Sequence, residues 1–368
     1  MNKINSKAVS RRTQKAHTNF MGAPSHDVSN PLVVLRMCAA SSFFGEPVYY
    51  DADDKKRSNK TNGASFVETL AGVLGNSHKM ASWARMGAAE RMEKAIDDAL
   101  AYNVKDTLEI ARALRNEDHI RTTPQVILVQ AANHVNARGT GLVREYMTQI
   151  ARRTDDVVTQ FAYQMSTYGK KVPNALKRGW KDYLEAQSEY SLAKYRMENR
   201  TYKLADVMYF AHAKSDAIGQ LMKGTLKLNQ DQTWEAMISA QGSSKATWTK
   251  AVDIMSHMAL LRNLRNFQTH GVPTTVYLDK LRATAAKGQQ LPFRYVSAYN
   301  ALGSDAPAVV RDAVEECLEL SMGMLPKFSG RVMSLCDNSG SAQNTMTSSM
   351  GTMKISTIAN LTACLTAR

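Results

Sequence analysis

The chain is poor in cysteine and aromatic residues and has no long apolar run. Its four cysteines, Cys38, Cys317, Cys336 and Cys364, stand far apart among 368 residues, with no C-x-x-C and no paired spacing. That argues against a disulfide framework and against a zinc site, and fits a reducing compartment. None of the eight histidines forms H-E-x-x-H or a pair spaced for a metal. No apolar stretch approaches the roughly 20 residues that a membrane-spanning helix needs. Residues 1–20 lack the apolar centre of a signal peptide. The expectation is a soluble, cytoplasmic protein with no membrane partner. Catalytic signatures are missing too: there is no G-x-S-x-G, no Walker loop and no Cys–His pattern. Asp337 as a phosphatase-type nucleophile would want a carboxylate two residues on, where Ser339 stands. The reading is of a protein that is not an enzyme.

Positive charge is what the chain has in excess. Forty-seven Lys and Arg face 33 Asp and Glu, a formal net charge of +14. Such an imbalance points to a polyanionic partner, most often nucleic acid. Five cations, Lys3, Lys7, Arg11, Arg12 and Lys15, lie in the acid-free first 20 residues, so most of the excess belongs to the folded part. An apolar fraction of 44% is enough for a real core.

Residues 1–29 are polar and basic and read as a flexible arm. Asn30-Pro31 opens an apolar stretch to residue 44, with proline placed for a helix start. Residues 50–64 are charged, contain Asn62-Gly63 and read as a loop. Helical periodicity then runs to about residue 325, for example through Met92, Ile96 and Leu100, and through Leu108, Ala111 and Leu114. The spacing predicts helices over 88–102, 104–115, 125–135, 141–153, 155–167, 174–193, 203–213, 215–226, 233–240, 247–268, 274–286, 294–302 and 307–325. Breaks are short and fall at Gly, Pro, Asn or Ser. Helices of 10–20 residues joined this way suggest antiparallel pairs stacked in series, a solenoid of the HEAT kind.

The pattern changes after residue 328. Residues 332–336 read as a buried strand that delivers Asp337, Ser339 and Ser341 at alternate positions, and 354–367 read as a helix. A strand, a hydroxyl-rich turn and a helix open an α/β unit. One carboxylate and two hydroxyls are hard oxygen ligands suited to Mg²⁺ or another divalent cation. The same hydroxyls would serve equally to cap the following helix.

Several phrases, taken in order, carry a family resemblance. They include Pro173-Asn-Ala-Leu-Lys-Arg-Gly179, Lys194-Tyr195, Tyr202-Lys-Leu-Ala-Asp-Val207, Ala211-His212, Thr233-Trp-Glu235, Ile238-Ser-Ala-Gln-Gly242 and Pro292-Phe-Arg-Tyr295. The most specific are His257-Met-Ala-Leu-Leu-Arg-Asn-Leu-Arg-Asn266 and Leu335-Cys-Asp-Asn-Ser-Gly-Ser341. From about residue 30 onward the chain resembles the TROVE domain of Ro-type ribonucleoproteins. The resemblance implies a mainly α fold: a ring of HEAT-like helical repeats over 30–328, then a von Willebrand factor A-like domain opening at 329–368. The family's second domain continues through further strands with a distal Thr and Asp at its metal site. The expectation for 329–368 is therefore an incomplete domain, its first strand and helix only, whose distal ligands are absent.

For function, the resemblance implies an RNA-binding scaffold. Small structured Y-like RNA would lie on the outer surface, and single-stranded 3′ ends of misfolded RNA in a central hole, for RNA quality control. A nuclease, or a chain completing the C-terminal domain, would be a further partner. By the family pattern Lys194 and His212 match positions that contact Y RNA. One of Arg196 and Arg200 matches a third, and the spacing leaves open which.

The residues themselves support a basic face. Over 170–203 nine cations stand against four acids, with Lys177, Arg178, Lys194, Arg196 and Arg200 among the cations. Such side chains neutralise phosphates. Trp180, Tyr190, Tyr195 and Tyr202 are interleaved and would either stack on unpaired bases or pack in the core. Arg262 and Arg265 stand at i, i+3 on one helix and are candidates for the ring's inner surface, whereas Asn263 and Asn266 read as structural. His257 reads as a packing residue. The alternative function is a protein–protein scaffold whose Asp-x-Ser-x-Ser turn docks a partner's acidic residue through a metal ion.

Overall fold

The computed structural model describes residues 16–18, 24–26, 30–41, 88–323, 325, 330–344 and 353–367. The loop expected over 50–64 and most of the basic arm lie outside the described residues. Within the arm, β1 (Ala16–Thr18) pairs antiparallel with β2 (Pro24–His26). Elsewhere the described chain is helical and divides into two compact units, residues 1–227 and 228–368. Among the described residues no helix is long and apolar enough to cross a membrane.

In the first unit α1 (Pro31–Ser41) packs on α2 (Ala88–Tyr102), and α3 (Val104–Asn116) on α4 (Thr123–Asn133). There follow α5 (Leu142–Ile150), α6 (Thr154–Thr167), α7 (Asn174–Glu185), α8 (Glu189–Lys194), α9 (Leu204–Ala211) and α10 (Asp216–Met222). Helices also pack on the next but one: α3 on α5, α4 on α6, α5 on α7 and α7 on α9. Stacked helical hairpins produce this alternation, because each pair hides its apolar stripe against the pair before and after it. The second unit repeats it with α11 (Trp234–Gln241), α12 (Lys245–Ile254), α13 (His257–Thr269), α14 (Thr274–Ala285), α15 (Pro292–Ala301) and α16 (Ala308–Met322). There α12 packs on α14, α13 on α15 and α14 on α16. This is the mainly helical, repeat-like architecture that the periodicity predicts.

The breaks are made by side chains that satisfy orphan N–H groups. Asn103, Ser188, Ser215, Thr233 and Ser244 each accept from the backbone N–H three residues on, at 3.0–3.2 Å. Two predicted helices are corrected by breaks, the first of them a side-chain cap. Residues 174–193 form two helices because Ser188 turns extended and caps α8. Residues 247–268 likewise belong to two, separated by extended backbone at Met255 and Ser256. Neither break contains Gly or Pro, so periodicity runs straight through them.

A larger correction concerns residues 332–336, expected as a buried strand. They run extended with no ladder partner among the described residues, and Met333 and Leu335 are 84% and 87% exposed. A strand is held by its neighbour, and without one the apolar alternation buries nothing. The segment lies beside α18 (Ile355–Thr366) instead, through Ser334 with Thr366 and Asn338 with Asn360. The helix expected over 354–367 forms; the von Willebrand factor A-like strand does not.

Two buried polar arrangements organise the cores. In the first unit Asp155 and Asp156, at the start of α6, are almost fully buried. Asp156 accepts from the backbone N–H of Arg152 and Arg153 and from Arg115, all at 3.0 Å. Asp155 is gripped in bidentate fashion by Arg153 at 3.1 Å and is also bonded by Arg121. Beyond them, Trp180 Nε1 donates to Gln160 Oε1 and Gln160 Nε2 to Gln125 Oε1, each at 2.7 Å. In the second unit buried His257 lies between Thr284 Oγ1, 3.0 Å from Nδ1, and Tyr295 Oη, 2.8 Å from Nε2. Thr284 spends its proton on Lys280 O, which assigns Nδ1–H as donor to Thr284 and Tyr295 O–H as donor to Nε2. Gly288 is required beside this ring, since a Cβ there would sit 2.4 Å from His257 Cδ2.

Removing one partner of a buried ion network leaves the others uncompensated, at about 3–5 kcal/mol. Asp156→Ala is therefore expected to lose about that much stability in chemical denaturation; a loss within 0.5 kcal/mol, about the scatter of surface changes, would refute the role. Burial pushes the His257 imidazole below its ordinary value of 6.5. The unfolded chain then binds its proton more readily, so this contribution is complete above pH of about 6.5 and declines as pH falls toward the lower folded value. Melting temperature should drop between pH 7.5 and 5.5, and His257→Gln should flatten that slope while lowering stability at pH 7.5.

Candidate nucleic-acid interface

Helix α7 buries Leu176, Gly179, Trp180, Tyr183 and Leu184, an unbroken apolar stripe. Gly179 lets α5 approach: a Cβ there would come 2.8 Å from Met147 Cε. The stripe leaves Lys177 half-buried at its margin and Arg178 exposed. Helix α9 buries Leu204, Val207, Met208 and Ala211. Its first turn is closed by Asp206, which accepts the Lys203 backbone N–H at 2.7 Å. It ends at His212 in the left-handed region, φ 54°, where Ala213 N–H bonds Met208 O at 3.1 Å. A non-glycine residue is held there by the helix-ending bonds, and the imidazole is exposed.

Because α7 packs on α9, Lys177 and His212 stand on neighbouring helices. The Lys177 ammonium lies 4.8 Å from the centre of the Phe210 ring, and Lys214 N–H donates to Glu185 Oε1 at 2.8 Å, tying the two helix ends together. Lys194 stands in the last turn of α8, which packs on α10, and its charge suits that helix end. Its ammonium donates to Tyr190 Oη at 2.9 Å and lies over both the Tyr190 and Tyr195 rings. Arg196 is half-buried and ion-paired with Glu198 at 3.2 Å. Arg200 is exposed, and neither it nor Arg178 has an ion-pair partner among the described residues.

In the second unit α13 turns His257, Leu260, Leu261, Asn263, Leu264 and Phe267 inward. Its outer stripe carries Met258, Arg262, Arg265 and Asn266, all exposed. Arg262 and Arg265 have no ion-pair partner among the described residues. Asn263 Nδ2 donates to Ala259 O and Asn266 Nδ2 to Asn263 Oδ1, each at 2.8 Å, so these asparagines bond within their own helix rather than across to another.

The interleaved aromatics separate sharply. Trp180 is fully buried; Tyr202 packs edge-on against Phe161, with ring centres 5.3 Å apart; Tyr195 lies between the Arg153 guanidinium, at 4.6 Å, and Lys194. Of the two alternatives for Trp180, stacking on bases or packing in the core, the indole takes the core. The aromatic that the sequence reading missed is Tyr209, 75% exposed on α9. It falls off the stripe of positions 204, 207, 208 and 211, and that offset was the available signal.

Asp337, Ser339 and Ser341 are brought together. Ser339 N–H donates to Asp337 Oδ1 at 2.8 Å, and the two serine hydroxyls are 3.0 Å apart. The Ser339 backbone N–H, and after it the Ser339 hydroxyl, hold the Asp337 carboxyl below its usual range. The turn opens α17 (Gly340–Asn344). Hard divalent cations take six or more oxygens; this turn presents one carboxylate and two hydroxyls. Among the described residues no cluster of three or more His, Cys, Asp or Glu side chains could hold a metal ion. The donor set fits part of a Mg²⁺ shell, with water supplying the rest.

The core placement of Trp180 predicts that Trp180→Phe leaves nucleic-acid affinity unchanged. It should cost about 1–3 kcal/mol of stability by orphaning Gln160 Oε1. Paired denaturation and binding measurements check both halves.

No curated protein and no solved structure matches the chain. Residues 209–308, which begin on α9 and run through α15, match the family model of the TROVE domain.

Proposed function

We propose that this chain is an RNA-binding scaffold of a ribonucleoprotein, acting by binding rather than by catalysis. TROVE domains are associated with RNA-binding ribonucleoproteins, and the match at 209–308 supports the class. The observation that carries the reading is how the cations are used. Arg115, Arg121 and Arg153 are consumed by buried carboxylates, whereas Arg178, Arg200, Arg262 and Arg265 face solvent with no carboxylate partner among the described residues. Exposed cations without an internal carboxylate partner are what a phosphate backbone requires.

In this proposal the face formed by α7, α8 and α9 takes a small structured, Y-like RNA through Lys177, Arg178, Lys194, Arg200 and His212. Arg262 and Arg265 take single-stranded 3′ ends of misfolded RNA, in a ring whose role is RNA quality control. Arg200 is favoured over Arg196, because Glu198 already neutralises Arg196. The Asp337 turn would take Mg²⁺ or another divalent cation only with water completing the shell, and no step of the proposal depends on it.

The test is binding of a small hairpin RNA over a series of salt concentrations. Affinity should fall steeply with salt, with a slope of roughly 0.7–0.9 per neutralised phosphate. Lys194→Glu with Arg200→Glu should weaken binding at least tenfold, and Arg196→Glu less. Parent-like affinity in the double variant would remove the site from this face.

A further inference from the structure

We propose that Cys336 and Cys364 are a modification site: a hydroperoxide joins them in a reversible disulfide that clamps residues 332–338 onto α18. The proposal stands apart from the RNA-binding reading. It gives a role to the extended segment that pairs with no strand among the described residues.

Two side-chain contacts fix how this segment lies. Ser334 Oγ bonds Thr366 Oγ1, and Asn360 Nδ2 donates to Asn338 Oδ1 at 2.9 Å. The segment therefore runs antiparallel to α18, with Cys336 midway between its two anchored residues. Midway between 360 and 366 on the helix is Ala363, and Cys364 is the next residue, about 1.5 Å further along the axis. The covalent order of the two elements thus brings the cysteines level with each other.

Burial shows which way Cys336 turns. Ser334 and Cys336 are half-buried, whereas Met333 and Leu335 between and beside them are 84% and 87% exposed. Alternate residues of an extended chain share a face. Cys336 consequently lies on the same face as Ser334, whose hydroxyl reaches α18.

The reach also fits. Ser334 and Thr366 meet through one oxygen beyond each Cβ. A disulfide spans its two Cβ atoms with one sulfur from each side in the same way, at a Cβ separation of about 3.5–4.5 Å. Backbones already held at the distance of a hydroxyl pair are near the distance of a disulfide. No backbone ladder among the described residues resists the small shift that would carry Cys336 onto Cys364.

Both thiols are reduced in the structure, and Cys364 is exposed to solvent. Cys317, by contrast, is fully buried, and that burial pushes its thiol up to about 11. The exposed thiol is the one an oxidant meets first. As thiolate, Cys364 attacks the O–O bond of hydrogen peroxide. Its sulfur becomes a sulfenic acid, and the departing hydroxide takes up the thiol proton as water. The Cys336 sulfur then attacks the sulfenic sulfur; the S–S bond forms, the S–O bond breaks, and a second water leaves with the Cys336 proton. Two electrons have passed from the thiols to the peroxide. Exchange with a small thiol such as glutathione reverses the step, so the pair rests as thiols in a reducing compartment. Because Cys336 adjoins Asp337, the clamp would anchor the entry to the Asp337 turn.

Trypsin cuts after Arg331 and Lys354, which puts the two cysteines on separate peptides, 332–354 and 355–368. The full-length chain is treated with hydrogen peroxide, its monomer fraction is isolated, and an unreduced digest is read by mass spectrometry. The two peptides should appear linked, two hydrogens lighter than their sum, and separate after dithiothreitol. Hydrogen exchange over 332–338 should slow on the order of tenfold in the oxidised protein, because local opening now works against a covalent tie. Cys364→Ser should abolish both effects, and Cys317→Ala should keep both. Circular dichroism melting confirms that each variant folds. Absence of the linked peptides, or linkage of Cys336 to any other cysteine, overturns the pairing. Unchanged exchange in the linked protein overturns the clamp.

Discussion

Two adjacent carboxylates buried at the start of α6 set the terms for the first unit. Asp155 and Asp156 are tolerable inside only because backbone N–H groups and three arginines surround them. Arg115 comes from α3, Arg121 from the turn before α4 and Arg153 from the turn before α6, so the charge pairing fixes three chain segments at once. The Arg153 guanidinium continues outward onto the Tyr195 ring beside α8. The opposite direction from α6 leads through Gln160 to Gln125 and Trp180. Most of this network is bonded in the observed arrangement, with Asp156 Oδ1 and Arg115 Nε lacking a hydrogen-bond partner among the described residues, and other arrangements would orphan more of it.

That network also changes how the basic composition should be read. A net charge of +14 invites the view that every cation serves a polyanion. The structure divides them. Some arginines are internal counter-ions, Arg196 is held by Glu198, Lys177 sits on Phe210, and others stand exposed. The last group can meet a phosphate with no native contact to share, whereas Lys177 and Lys194 would do so from the aromatic rings they rest on. The functional reading therefore follows from pairing and exposure, and the bulk charge serves only as a first indication.

Much of the fold was legible. Helix positions follow from apolar periodicity, and the helix predicted over 88–102 forms over the same residues. Breaks at Gly and Pro were visible as well. The breaks at Ser188 and Met255–Ser256 were not, because Ser and Met are also acceptable residues inside a helix. Residues 332–336 misled for the opposite reason: the alternation of a strand was present and its neighbour was not. At the candidate interface, periodicity put Arg262 and Arg265 on an outer stripe and Leu260, Leu261 and Leu264 inside. The same periodicity, applied to the aromatics, puts Trp180 on the buried stripe of its helix and Tyr209 off that of its own.

The sequence by itself determined the helical class, the lengths of most helices, the excess of positive charge and the clustering of Asp337, Ser339 and Ser341 on one turn. All of these are local, set within one or two helical turns by periodicity, capping chemistry and covalent spacing. Tertiary structure decided that Arg115 and Arg121 are spent on buried carboxylates and that His257 is locked between Thr284 and Tyr295. The meetings of Arg115 with Asp156 and of His257 with Thr284 and Tyr295 join residues 27 to 41 positions apart. Burial and electrostatics act on those meetings, and no pattern of near neighbours along the chain encodes them.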